Sequence, residues 1–373
     1  MTSRERLLKT LKGEKVDRVP VSTYELVGFN SHAFENQEPS YRDLMQVIRE
    51  KTDCICMWNP HSTEQFALSA FPAETQSNVV TEGTLTKTVT SLFTPRGREL
   101  TATHQRYVDV HTVWTTEHYC KTIEDVDAYF SIPFEPAGYD SSDFERVSAE
   151  VGDHGIIMVT VSDPICYAME IMEFGEATVW ALTEREHFAK TIKEIHRRNM
   201  MNLENMLKDK VVDLYRIVGP EYATPPYLSP DFFREFVAPY IKEMTQLIHQ
   251  HGGLVRIHSH GRIGEVLDMI LDSGADAIDP CEAPPDGDIE LAEVKRRIGD
   301  RMTIFGNIQL KLLEHGSKEE VIQAVVRCME AAKEGGRYVI MPTAAPINVP
   351  LASKTEENYL TYIDAALYYG KYE

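Results

Sequence analysis

The sequence predicts an α/β chain folded as a (β/α)8 TIM barrel with an antiparallel β insertion. Three observations carry that expectation. Outside one Thr- and Val-rich stretch there are eight strand candidates, near residues 19, 53, 157, 213, 255, 276, 303 and 338. The later ones are spaced by roughly 20–40 residues, with one helical pattern in each gap, as repeated βα units require. No GxGxxG or GxxxxGK loop follows any strand, so a doubly wound sheet around a dinucleotide or P-loop site has no support.

The elements follow in order. Residues 2–12 place Leu7, Leu8 and Leu11 at helical spacing, and Gly13 stops the helix. Arg18 to Val21 reads as the first strand, Tyr41 to Lys51 as a helix and Asp53 to Met57 as the second strand. Residues 61–118 then turn rich in Thr, Ser and Val, with TPRG at 94–97 as a turn, and read as inserted hairpins. Thr122 caps a helix over Lys121 to Phe130, with Glu124 and Asp125 in its first turn.

From about residue 150 the alternation is regular. The strands are Gly155–Val161, Val211–Val218, Gly253–His258, Ala275–Asp279, Met302–Phe305 and Arg337–Met341. The helices between and after them are Thr183–Lys208, Ser229–His251, Ile263–Ser273, Asp288–Ile298, Ser317–Glu334 and Thr355–Tyr369. Ser229 with Pro230 opens its helix as cap and first-turn proline, and Gly274 and Gly335 close theirs. The whole chain, 1–373, reads as one barrel.

Composition narrows the function. Lys plus Arg is 38 against 58 for Asp plus Glu, a formal charge of −20, which argues against nucleic-acid and anionic-membrane partners. No apolar run is long enough to span a bilayer, and the first twenty residues lack a signal-type apolar core. Six cysteines in 373 residues read as buried thiols in a reduced, cytoplasmic compartment. The partner expected is a small-molecule substrate; a homodimer is left open.

In a barrel the chemistry sits at the C-terminal strand ends. The fifth strand ends in His258-Ser259-His260-Gly261, two imidazoles that share a side if the backbone stays extended. They can converge on one metal ion, Zn2+ first among candidates, with Cys281 or Glu282 from the sixth strand end as a third ligand. Asp279 can fix a histidine tautomer from behind. Asn307 follows the seventh strand and offers a donor and an acceptor toward the axis. Asp163 follows the third strand, and Glu221 and Tyr222 the fourth; these three are candidates for substrate contact or proton transfer. Tyr24, Glu25 and His32 follow the first strand, and Trp58, Asn59 and His61 the second, where aromatics would wall a pocket.

Several stretches resemble the uroporphyrinogen decarboxylase superfamily over nearly the whole chain. They are Arg4-Glu5-Arg6 with 13–21, 229–237, His251-Gly252-Gly253, 258–261, 274–277 and the tail 354–359. The superfamily joins porphyrinogen decarboxylases to zinc methyltransferases that act on methylated corrinoid proteins. The decarboxylases carry an Arg-rich segment where this chain has Ser22-Thr23-Tyr24-Glu25-Leu26, so the resemblance points away from uroporphyrinogen. The methyltransferases hold zinc with a His-x-Cys pair and a distant Cys. Here His258 matches the first ligand, His260 stands at the Cys position, and Thr343-Ala344-Ala345 replaces the last. The resemblance implies a metal-dependent methyltransferase that uses Zn2+ and a corrinoid carried by a partner protein, with a methoxylated small molecule as substrate. The alternatives are a decarboxylase of a small aromatic or pyrrolic acid and a non-catalytic small-ligand-binding barrel.

Overall fold

The computed structural model describes residues 1–372. Its strands, in chain order, are β1 Cys54–Met57, β2 His61–Ser62, β3 Glu74–Glu82, β4 Leu85–Phe93, β5 Glu99–Tyr107, β6 Trp114–Glu117, β7 Tyr139–Asp140, β8 Gly155–Ser162, β9 Leu214–Val218, β10 Leu254–Ser259, β11 Ala277–Pro280, β12 Thr303–Ile308 and β13 Tyr338–Pro342. Seven of them form one parallel sheet in the order β1-β8-β9-β10-β11-β12-β13, with helices in the crossovers. Parallel pairing needs such crossovers, and the apolar strands, buried on both faces, match that arrangement.

The sheet is curled but open, and not the closed eight-stranded ladder that the sequence predicts. The missing member is the expected first strand. Residues 18–22 run between β13 and β1, with a single parallel bridge from Val21 to Ile340. Ser22 N donates to Ile340 O at 3.0 Å, and Asp53 N donates to Val21 O at 2.8 Å. A ladder cannot extend further because Pro20 has no N–H and the Val21 N–H goes to the Asp53 carboxylate at 2.8 Å. Arg6 Nη1 at 2.6 Å and Arg18 Nη1 at 2.5 Å donate to that same fully buried carboxylate.

The N-terminal helix, Ser3–Lys12, closes the N-terminal end of the sheet. Thr2 and Glu5 form its capping box, and Gly13 at φ 74 ends it in the left-handed region. Leu7 and Leu11 then pack against Ile156, Leu214, Phe305 and Val339 inside the curl. Each such fully buried side chain contributes about 1.5–3 kcal/mol. The larger apolar cluster lies outside, between sheet and helices. The helix expected over 229–251 is two helices, Pro230–Phe236 and Ala238–Gln250, because Pro239 cannot donate across the joint.

Within the Thr- and Val-rich stretch, β3-β4-β5-β6 form a separate antiparallel sheet. Glu82 pairs with Leu85, which leaves a two-residue Gly83-Thr84 turn with Gly83 at φ 60. All of β3 is exposed.

Candidate functional site: a polar layer at the C-terminal end of the sheet

Above the apolar interior, alternation along the strands brings charge inward. Arg216 of β9 and Arg256 of β10 are register partners, as are His258 of β10 and Asp279 of β11. Side chains two residues apart share a face, so Arg256, His258 and Asp279 look into the same interior.

Asp279 organises this layer. Its Oδ2 accepts from His258 Nδ1 at 2.8 Å, and its Oδ1 lies 2.9 Å from Arg256 Nε, off the N–H direction. Burial alone would raise its pKa, but the charge of Arg256 and the hydrogen bond from His258 hold it well below the ordinary value. An ionised acceptor places a proton on His258 Nδ1 and so fixes the ring's orientation. Arg256 also lies over the Phe305 ring, 5.0 Å from its centroid.

Arg216 donates from both Nη atoms to Glu25 Oε1 at 3.1 Å. Its Nη1 also reaches the Tyr24 hydroxyl at 3.4 Å. The Tyr24 ring lies 6.2 Å from that of His258. Nearer solvent, His260 Nδ1 faces Glu282 Oε2 at 3.2 Å, and Gly261 N donates to the same oxygen at 2.8 Å. Burial works against charge on His260, but the Glu282 hydrogen bond and the charges of Glu282, Asp279 and Glu221 raise it above the ordinary histidine value. The two imidazole rings stand edge to face, 4.6 Å apart.

The structure therefore brings together His258, His260 and Glu282, with Glu221 close enough to bias His260. Glu221 Oε2 accepts from Gly219 N at 3.0 Å. Asp163 caps the helix Pro164–Glu170, accepting from Cys166 N at 2.7 Å through Oδ1, while its buried Oδ2 has no hydrogen-bond partner among the described residues. Burial first, then the charges of Glu221 and Glu170, push its pKa well above the ordinary carboxyl value. Tyr222 packs toward Phe174, with ring centroids 5.7 Å apart, and burial raises its hydroxyl.

Two expected members lie elsewhere. Asn307 does not offer its amide to the axis: it donates to Cys281 O at 2.7 Å and lies 3.5 Å from Cys328 Sγ, on the wall of an outer cavity of about 230 Å3. Gly306, at φ 142, breaks the strand alternation just before it. Cys281 is fully buried in the outer apolar core, its backbone turned at φ 55, and burial with the charges of Asp279 and Glu282 raises its thiol.

The donor set falls short of zinc. Glu282 is engaged behind His260, Cys281 points into the core, and among the described residues no three His, Cys, Asp or Glu side chains gather as a metal site. A catalytic zinc takes three protein ligands, and the chain offers two imidazole nitrogens. Sequence reasoning also missed Arg216 and Arg256. Their signal was a charged residue in the middle of two otherwise apolar strands, Leu214–Val218 and Leu254–Ile257.

Residues 108–353 match the sequence profile of the family described as Uroporphyrinogen decarboxylase (URO-D). The chain is 24% identical over 196 residues to Methylcobamide:CoM methyltransferase MtaA of Methanosarcina barkeri, covering 52% of this chain and 54% of that protein. That match spans about half the length of the methyltransferase. It is 22% identical over 352 residues to Uroporphyrinogen decarboxylase 2, chloroplastic, of Arabidopsis thaliana, covering 90% and 79% of the two chains. The fold is shared with a methyltransferase from Methanosarcina mazei, at a TM-score of 0.63 and 18% identity, over 99% of each chain. Profile, relatives and fold agree: the chain belongs to the uroporphyrinogen decarboxylase (URO-D) family.

Proposed function

We propose that this chain is a methyltransferase that moves a methyl group between a methoxylated small molecule, seated in the polar layer, and a corrinoid carried by a partner protein. The observation that carries this reading is the pair of imidazoles at the end of β10, each with a carboxylate at Nδ1. Support comes also from the methyltransferase fold and relative. The corrinoid would accept or supply the methyl group; the chain's part is to orient the ether and handle the proton. Loss of methyl from an ether leaves an oxyanion, which needs a proton donor within hydrogen-bond reach. His260, at the more exposed edge of the layer, is assigned that role, with Glu282 holding its ring. His258 orients the substrate through Nε2, and Tyr24 gives a flat wall. Glu221 biases His260 toward the charged form, and the fully buried Asp163 braces the helix start behind it. No step passes through zinc.

The test supplies purified protein with methoxylated aromatic compounds and free cob(I)alamin under anoxic conditions. Expected are the spectrum of methylcobalamin and the demethylated product, with His258→Ala and His260→Ala each slowing transfer by about 10²-fold. A second reading, decarboxylation of a small acid, is favoured by the buried cations Arg216 and Arg256. Release of CO2 from aromatic acids without methyl transfer would select it, and binding without turnover would leave a ligand-binding barrel.

A further inference from the structure

Arg216 and Arg256 sit side by side in register on adjacent strands, 6% and 2% exposed. Two like charges on neighbouring strands destabilise each other, and burial removes the water that would screen them. Their counter-charges cover them only in part. Arg256 meets one oxygen of Asp279 off the N–H direction, and that carboxylate is shared with His258. Arg216 meets one oxygen of Glu25, and the Glu25 side chain is 40% exposed. The Nε atoms of both arginines are buried and have no hydrogen-bond partner among the described residues. A guanidinium presents its donors as a planar fork that matches a carboxylate, so unfilled donors of this kind have a natural complement.

We propose that Arg216 and Arg256 form a grip for one substrate carboxylate, and that Glu25 is an internal stand-in which the substrate displaces. Charge counting sets the stoichiometry. With Glu25 in place, two cations face two anions. When Glu25 swings to solvent, the layer keeps Arg216, Arg256 and Asp279, and one monocarboxylate restores balance. The ligand class is a small organic monocarboxylate, its acid group lodged on the arginines and the rest of the molecule reaching past His258 and Tyr24 toward the mouth. This inference rests on the polar layer being the substrate site proposed above, and it names the chemistry of what enters.

The test is calorimetric titration without any corrinoid, using benzoate and 3-methoxybenzoate against their neutral counterparts benzamide and anisole. The carboxylates should bind at least about tenfold more tightly than the neutral compounds, as loss of a charge-assisted bond predicts. Arg216→Gln should weaken carboxylate binding by a similar factor, and Arg256→Gln likewise. Glu25→Gln should strengthen it, since the stand-in no longer competes. Should Arg256→Gln fail to fold, Glu25→Gln and Arg216→Gln decide. Equal binding of charged and neutral probes would overturn the grip. So would no carboxylate binding by wild type and Glu25→Gln, or binding unchanged in Arg216→Gln. Methyl transfer from neutral ethers with no carboxylate preference would overturn the grip and spare the methyltransferase reading; carboxylate capture without methyl transfer would do the reverse.

Discussion

Asp279 Oδ2 accepts the Nδ1 proton of His258 at 2.8 Å, from a carboxylate with no solvent exposure at all. The same group is the counter-charge of Arg256. One side chain thus sets the tautomer of the more deeply placed imidazole and neutralises a buried guanidinium.

Asp279→Asn should therefore lower stability by about 3–5 kcal/mol at neutral pH, because it leaves Arg256 buried without its anion. Urea denaturation would measure it. The pKa of Asp279 is depressed in the folded state, below the ordinary 3.8. Its contribution is complete above that ordinary value and is lost as pH falls through the lower folded one. The deficit of the variant should shrink only in strong acid.

Asp163→Asn should show the opposite pH trend. The pKa of Asp163 is raised on folding, so wild-type stability falls as pH climbs from the ordinary 3.8 toward the folded value. Each pH unit crossed within that window changes stability by about 1.4 kcal/mol. Asparagine keeps the cap to Cys166 N and has no proton to lose. The variant should gain on wild type as pH rises above the ordinary carboxyl value, in melting curves recorded from acid to neutral pH. A difference flat across that range would refute the assignment.

Gly219→Ala should cost about 1–3 kcal/mol. At φ 121, an added Cβ would sit 2.2 Å from Asp163 Oδ1 and 2.4 Å from Cys166 Cβ. Gly252→Ala is the control, since its φ of 91 carries backbone strain but nothing lies within 4 Å of the new atom. The denaturant midpoint should drop further for Gly219→Ala, and the excess reports the crowding around Asp163.

Asp53→Ala should destabilise the protein by about 3–5 kcal/mol, since Arg6 and Arg18 both lose a buried partner. Hydrogen exchange gives a sharper readout. The amides of Val21 and Ser22 should lose protection in the variant before those of β9 and β10, because Asp53 holds the segment that lies across the opening of the sheet.

Much of the fold was legible because local chemistry and tertiary packing agree from β8 onward. Apolar strands alternate there with capped helices, and Ser317 shows its capping box as Ser-x-x-Glu in the sequence itself. The first strand was misread because Val19 and Val21 look like strand residues, while the Val21 N–H is claimed by a side chain 32 residues away. In the site, His258 with Asp279 and His260 with Glu282 follow from extended geometry at two neighbouring strand ends. Asn307 and Cys281 were misassigned because both lie beside left-handed backbone, at Gly306 and at Cys281 itself, where side-chain alternation no longer holds. Arg216 and Arg256 were passed over because each is flanked by strand-forming apolar residues.

The leucines of the first helix make the two ends of the sheet unlike. Leu7 and Leu11 fill the N-terminal end of the curl, while His260 and Glu25 are partly open to solvent at the other, so the charged layer meets water from the C-terminal side. The asymmetry divides labour between the two ends: apolar burial anchors one, and the charges at the other are left where solvent and solutes can reach their edge.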